Sequence, residues 1–477
     1  MSAPAMSSGR MYIGGEWVNG ATFVVTDKFT GEPIGTMASA SREQVRQAVN
    51  FAAKAFAGNR LTPYARYEIL HRAAGLVESR RDAFKSTIVA ESGFTVSDAE
   101  IEIARTIQTL LLCAEEAKRI AGEVVPVDGA PGQEHRMAFT LRVPVGVVCA
   151  ITPFNSPLNT VAHKVGPALA AGNAVVLKPA TQTPLTAVLL CEVFEAAGVP
   201  PGYLSLVHGQ GSRVGAWLLR EPQIAFYTFT GSTNVGRTIQ RAIGLRRSQL
   251  ELGSISSTVI CEDADLTRAI PRCVNASFRK AGQVCTSVQR LYVHRAILNG
   301  FVTSLVDATT KVRVGDPKDP ATLVGPMISA REAERAAAWV DEALTQGARI
   351  ACGGRREGAL FFPTIIVDVT PRMRVMCDEI FAPVISIVPN ESLDAAITEI
   401  NATPYGLAAG IFTTNINTAM KAARLLEVGA VHVNETSSSR VDAMPYGGVK
   451  QSGFGREGPK YSIQEMTAER LVTWSLY

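Results

Sequence analysis

The eight cysteines include no C-x-x-C pair, and the six histidines form no H-E-x-x-H. These absences argue against a disulfide framework and a zinc site, so no metal is expected and a reducing compartment fits best. No apolar run reaches the roughly 18 residues that a membrane span needs. Residues 1–10 lack the apolar centre of a secretion signal. A cytoplasmic protein without a membrane partner is therefore expected. Charge of one sign is scarce too: 47 basic against 43 acidic residues leave a formal net charge of +4, with no basic stripe interleaved with aromatics. Nucleic acid is thus a poor candidate partner, although the small positive balance favours an anionic ligand. Repeats of about 20–50 residues and low-complexity segments are also missing.

What is present is a 477-residue chain, 47% hydrophobic, with room for more than one core. Residues 1–10 read as an unstructured tail. Met11-Tyr12-Ile13-Gly14-Gly15-Glu16-Trp17-Val18 reads as a hairpin turning at its two glycines. Ser41-Arg42-Glu43-Gln44 is a capping box ahead of Val45, Ala48, Val49, Ala52 and Phe56 at helical spacing. One helix is expected over 64–91, and another from a cap at Ser97-Asp98-Ala99-Glu100 to about 119. Residues 124–141 alternate like an exposed β-ribbon. Strands (143–151, 174–177, 204–207, 225–229) then alternate with helices (159–171, 183–197, 212–220, 231–243). Such βαβ repetition predicts a mostly parallel sheet whose ligands sit beyond the C-terminal strand ends. The alternation starts afresh after Glu251, predicting a second α/β domain. Residues 470–477 alternate again and are expected to pair with the ribbon, within one chain or across subunits.

Several strand ends and turns carry reactive side chains. Cys285, in Gly282-Gln283-Val284-Cys285-Thr286, reads either as a buried small hydrophobe or as a nucleophile. Glu251 lies 34 residues upstream and offers a carboxylate for moving a proton. Phe229-Thr230-Gly231-Ser232-Thr233-Asn234-Val235-Gly236-Arg237-Thr238 joins a strand to a helix whose N-terminus suits a phosphate. Arg237 replaces the lysine that a nucleotide-triphosphate loop requires, which counts strongly against phosphoryl transfer. Lys178 leaves a strand where a ribose or phosphate could be met, and Asn155 ends another with an amide suited to an oxyanion. Glu379 stands two residues before Phe381. Taken singly, these also read as a glycine turn, a solvated lysine, an asparagine turn and a helix-end acid beside a core ring.

In order along the chain, Phe154-Asn155, Lys178-Pro179, Phe229-Thr230-Gly231-Ser232-Thr233, Glu251-Leu252-Gly253, Gly282-Gln283-Val284-Cys285-Thr286, Glu379-Ile380-Phe381-Ala382-Pro383 and Pro445-Tyr446-Gly447-Gly448-Val449-Lys450-Gln451-Ser452-Gly453 resemble the aldehyde dehydrogenase superfamily. The resemblance covers nearly the whole chain. It implies a Rossmann-like dinucleotide-binding domain (1–122 and 142–250), an α/β catalytic domain (251–458), and an oligomerisation ribbon and tail (123–141 and 459–477). A homodimer or homotetramer follows from that ribbon. The same resemblance makes Cys285 the nucleophile, Asn155 an oxyanion donor and Glu251 the base for deacylation. Lys178 and Glu379 would hold the cofactor riboses, Ser232 a pyrophosphate oxygen, and Phe381 would pack beside the nicotinamide ribose. Thr152, Pro153, Phe154, Ala180, Thr181, Gly211, Gly231 and Leu252 complete the implied NAD or NADP contacts. Ser254 departs from a glycine frequent in the family, and so does Ala382. Thr181 stands where NAD-preferring members carry a glutamate, so NADP use is expected.

The segment Ser439-Arg440-Val441-Asp442-Ala443-Met444-Pro445-Tyr446 is most similar to the lactaldehyde and phosphonoaldehyde dehydrogenase branch. By that resemblance Arg105, Thr109, Ser156, Val284, Thr286 and Arg440 fall in substrate-facing segments. Guanidinium groups there imply a short aldehyde bearing a phosphonate, phosphate or carboxylate. The alternative for Arg105 is a pair with Glu102, and for Arg440 a pair with Asp442 or a neighbouring loop. His163 reads as a packing residue. Competing activities are oxidation of a neutral hydroxyaldehyde or succinate semialdehyde, acyl transfer to coenzyme A, and a non-catalytic nucleotide-binding scaffold. Glu251 argues against acyl transfer, and the intact set of Cys285, Asn155, Lys178 and Glu379 against the scaffold.

Overall fold

The computed structural model describes residues 7–58 and 60–476. Its central sheet holds five parallel strands in the spatial order Arg247–Glu251, Ile224–Thr230, Val147–Ile151, Ala174–Lys178, Leu204–Leu206. Gly453–Phe454 closes one edge antiparallel, and the hairpin Met11–Ile13 with Glu16–Val18 closes the other. Val148, Cys149, Val175, Val176, Leu204 and Phe226 are at most 1% exposed, because helices cover both faces. From Val147–Ile151 the chain builds outward in one direction, then crosses to start Ile224–Thr230 on the other side. The crevice at that reversal is where a parallel sheet receives a ligand.

A second sheet has seven strands in the order Arg349–Cys352, Thr364–Val367, Val384–Asn390, Arg290–His294, Ser257–Ile260, Ala408–Phe412, Ala430–Val433. Only the Arg349–Cys352 edge runs antiparallel. Two hydrophobic cores result, one on each sheet. The third sheet is the ribbon: Thr467–Ser475 pairs antiparallel with Arg136–Pro144 of the same chain, with Val124–Val125 on the far side.

Four local expectations are adjusted. The strand expected over 143–151 is split, since Arg136–Pro144 belongs to the ribbon and Val147–Ile151 to the central sheet. Gly146, at φ 128°, turns the chain between them. The helix expected over 64–91 is two, Pro63–Ser79 and Arg81–Ser92, parted where Arg80 takes φ −106° and ψ 19°. Both halves keep the same apolar period, with Leu70, Val77, Phe84 and Ile88 fully buried, so periodicity alone does not register the break. The next helix, Val96–Ala117, is capped by Thr95 rather than by Ser97, the Thr95 hydroxyl accepting from the Asp98 N–H. Of the expected tail, Ser7–Gly9 pairs with Gly35, Thr36 and Met37, and residues 1–6 lie outside the described residues. Among the described residues no helix is long and apolar enough to cross a membrane. All eight cysteines are free.

Candidate active site

The C-terminal ends of three central strands run straight into candidate site residues. Val147–Ile151 leads to Thr152, Pro153, Phe154 and Asn155; Ala174–Lys178 ends on Lys178; Ile224–Thr230 leads to Gly231 and Ser232. Arg247–Glu251 ends on Glu251 itself. Cys285 arrives differently. After the helix Leu266–Phe278, Lys280, Ala281 and Gly282 all adopt left-handed backbone, at φ 53°, 52° and 68°. A Cβ on Gly282 would sit 2.1 Å from the Ala382 carbonyl oxygen, so only glycine fits there. The two strained non-glycine residues are held by the Lys280 ammonium, which bonds Glu102 Oε2 at 2.7 Å and the Asn155 carbonyl at 3.0 Å. Glu102, 3% exposed, also accepts from Ser156 Oγ and the N–H groups of Leu158 and Asn159. Burial opposes its ionisation, but Lys280 and these donors keep its carboxyl below the usual range. Glu102 thus fixes both the Asn155 loop and the Cys285 turn.

A cavity of about 630 Å³ opens beyond the central sheet and ends on Cys285 and Glu251. Thr152, Pro153, Phe154 and Asn155 line it, as do Ala180, Gly211, Gly231 and Ser232. Leu252, Glu379 and Phe381 line it from the other side. Lys178 and Thr181 lie behind this wall: the Lys178 ammonium donates to the Pro179 carbonyl, and Thr181 Oγ1 to the Gly209 carbonyl. The arrangement fits a dinucleotide. The helix Thr233–Ile243, capped by Ser232, points its N-terminus at the cavity. Lys178 is 3% exposed without an acid partner among the described residues, and burial pushes it down to about 8. Glu379 Oε1 accepts from the Ser254 N–H at 2.9 Å, and burial raises that carboxyl to about 7. A Cβ on Gly253 would meet Glu379 Oε2 at 2.7 Å, so the glycine makes room for the carboxylate. Phe381, at φ 50°, meets Phe154 edge to face with ring centroids 5.9 Å apart. The Ser254 hydroxyl is engaged with Ser256 at 3.0 Å.

At the far end the chemistry concentrates. Cys285 Sγ lies 2.8 Å from the Tyr446 hydroxyl. Burial pushes the thiol up to about 11, while Tyr446 and Arg440 pull the other way. Asn155 Nδ2 donates to the Gln283 carbonyl at 2.9 Å, leaving its second amide proton for an oxyanion. Glu251 is 2% exposed and neither oxygen has a hydrogen-bond partner among the described residues. Burial, then the nearby Glu457, raises its carboxyl well above the usual range. Glu457 in turn lies 3.8 Å from the Lys164 ammonium and 3.0 Å from Arg440 Nη2. A buried acid without partners, facing a cavity, is equipped to take a proton from water.

A second cavity, about 270 Å³, is lined by Arg105, Arg279 and Arg440 together with Asp98, Ser438 and Ser439. Arg105 is clamped by both oxygens of Asp442, at 2.7 and 3.1 Å, rather than by Glu102. Asn159 and His163 reach the same Asp442 oxygen, and the Thr109 hydroxyl bonds Asn159, so both Thr109 and His163 serve this cluster. Arg440 pairs with Glu457 and stacks 3.9 Å over the Tyr446 ring. The Ser156 hydroxyl goes to Glu102, the Thr286 hydroxyl to Ser438, and Val284 lines a small void with Ser254 and Ala382. None of these three lines either large cavity. Arg279, which the sequence reading did not single out, donates to Ser438 Oγ at 2.8 Å and has no ion pair among the described residues. It stands six residues before Cys285, outside the motif 282–286. Glu102, Lys280 and Tyr446 were also missed as functional groups.

Residues 17–472 match the Aldehyde dehydrogenase family. The chain is 49% identical over 467 residues to a 3-sulfolactaldehyde dehydrogenase of Priestia megaterium, covering 98% of each chain. Aldehyde dehydrogenase 21 of Physcomitrella patens, solved with the reaction product succinate, superposes with a TM-score of 0.96 at 33% identity, over 99% of both chains. The NADP-dependent glyceraldehyde-3-phosphate dehydrogenase of Bacillus halodurans, solved with NADP, gives a TM-score of 0.96 at 34% identity, over 99% of this chain and 100% of that one. With the fold, the cavity ending on a cysteine and a buried acid, and these likenesses together, the chain belongs to the aldehyde dehydrogenase family and is an oxidoreductase.

Proposed function

We propose that this protein oxidises a short anionic aldehyde, with a sulfonate-bearing three-carbon aldehyde such as 3-sulfolactaldehyde as the leading candidate, to its carboxylic acid, using NADP or NAD. The observation that carries the anionic part is Arg279, a cation with no ion pair among the described residues, which lines a cavity and stands six residues before Cys285. Asp98 lines that cavity too, but burial raises its carboxyl, which weakens its claim on the guanidinium. The 49% identity to the Priestia enzyme supports the sulfonate over other anions.

In this reading the Cys285 thiolate attacks the aldehyde carbon. The C–S bond forms, and the carbonyl pair moves onto oxygen, where the Asn155 amide and the Cys285 N–H receive it. Lys178, Ser232, Glu379 and Phe381 would hold the dinucleotide, whose nicotinamide, when bound, accepts the hydride that the former aldehyde carbon gives up. A thioester on Cys285 remains. Glu251 takes a proton from water, the hydroxide adds to the thioester, and the carboxylate leaves as the thiol is restored. The absence of an acid at position 181 supports NADP. A homodimer or homotetramer belongs to the proposal. It is supported by Met137 and Trp474, opposite each other on the ribbon and 44% and 61% exposed, and light scattering reads it.

The test is a panel of 3-sulfolactaldehyde, glyceraldehyde 3-phosphate, succinate semialdehyde and lactaldehyde, each with NADP and NAD. The sulfonate should exceed neutral lactaldehyde in kcat/KM by about a hundredfold, as one charge-assisted contact predicts. Equal values for the charged and neutral aldehydes would sink the proposal. A strong preference for NAD would remove its NADP element alone.

A further inference from the structure

Tyr446 is 8% exposed, and its hydroxyl lies 2.8 Å from the sulfur of Cys285. The phenol is held from both sides. Arg440 covers its ring at 3.9 Å and is itself anchored on Glu457. The following residue, Gly447, lies against the other reacting group: a Cβ there would stand 3.0 Å from Glu251 Oε1. One short turn therefore touches nucleophile and base at once. Burial moves the phenol well above its ordinary range, so its proton stays on oxygen at neutral pH. When the thiol ionises, Tyr446 is consequently the donor and the sulfur the acceptor, a charge-assisted bond stronger than any to the neutral thiol.

We propose that Tyr446 is a catalytic residue: its hydroxyl donates to the Cys285 sulfur, stabilises the thiolate against the cost of burial, and aims it. No proton passes through the phenol. The thiol proton leaves to solvent or to Glu251, the lone pair on sulfur forms the C–S bond, and the hydrogen bond weakens as charge moves from sulfur to the carbonyl oxygen. Arg440 acts through Tyr446 as a positioning residue, since the stacked guanidinium fixes the ring and its charge also favours the thiolate. This rests on the reading of Cys285 as the nucleophile, but not on the identity of the aldehyde.

Tyr446→Phe keeps the ring beneath Arg440 and removes only the donor. The rate at which iodoacetamide modifies the Cys285 peptide, followed by mass spectrometry against pH, should have its midpoint moved up by about one unit. At pH 7 that is about tenfold slower labelling. The kcat/KM for aldehyde should fall comparably at neutral pH and recover as pH rises, with KM for the anionic aldehyde within about twofold of the parent. An unchanged labelling midpoint, or an equal loss of activity at every pH, overturns the proposal. Should the phenylalanine variant misfold by thermal melting, 3-fluorotyrosine at position 446 gives the opposite reading. Its more acidic phenol is a better donor and should move the midpoint down, and no movement would count against Tyr446. Retention of oxidation by Cys285→Ser would instead sink the nucleophile reading itself.

Discussion

The cavity that ends on Cys285 and the cavity lined by Arg279 are built on different principles. The larger is lined by strand ends and glycines of the central sheet, faced by Cys285, Glu379 and Phe381 from the second. The smaller is lined by charged side chains, Asp98, Arg105, Arg272, Arg279, Glu435 and Arg440, set among uncharged ones such as Ile101, Asn275 and Ser438. Backbone geometry suits a ligand of constant shape, and the sheet reversal fixes it wherever this fold is made. Charged side chains suit a ligand that has to be distinguished from its neutral analogues, since leaving a guanidinium unpaired penalises the wrong partner. Of the four arginines that line the smaller cavity, Arg105, Arg272 and Arg440 have carboxylate partners, Asp442, Glu435 and Glu457, and Arg279 has none among the described residues.

The largest effect should come at the inner end of the larger cavity. Glu251→Gln removes the base without changing the size of the side chain. Steady-state turnover should fall by about 10²–10⁴-fold while a burst of reduced cofactor, up to one per subunit, survives. Loss of the burst along with turnover would show that Glu251 acts earlier than deacylation. Arg279→Met should confine its damage to the smaller cavity. The KM for a sulfonate or phosphate aldehyde should rise about ten- to a hundredfold, with lactaldehyde nearly unaffected, as loss of a hydrogen-bonded charge contact predicts. Equal effects on both substrates would reassign Arg279 to structure. Thr181→Glu should act only on the larger cavity and is the smallest of the three. It should lower kcat/KM for NADP about tenfold through repulsion of the 2′-phosphate, leaving that for NAD within a few-fold. A matching loss with NAD would place Thr181 away from the adenosine ribose.

The fold was legible where pattern and topology coincide. Alternating strands and helices from Val147 to Ile243 announced the parallel sheet, and the hairpin at Gly14-Gly15 announced its edge. The break at Arg80 was not legible, because the apolar period continues through it. The same limit applies at the site. Motif order pointed to Cys285, Glu251 and Glu379, which line one cavity. It said nothing of Glu102, an acid on a helix face whose burial against Lys280 exists only once two domains are packed. Arg105 and Arg440 were visible as cations, but their partners, 337 and 17 residues away, were not. Arg279 lay just before the motif 282–286 and drew no notice, because the absence of a partner is a property of three-dimensional surroundings.

By itself the amino-acid order determined which side chains leave the strand ends, through local periodicity, and singled out Cys285 through the ordered motifs that resemble the aldehyde dehydrogenase family. Only tertiary packing decided which charges cancel and which stay available, because a pairing energy falls with distance through space and not along the chain. For that reason the candidate nucleophile and acid were written in short motifs, while the pairing of Arg105 with Asp442 and of Arg440 with Glu457 was decided only by packing.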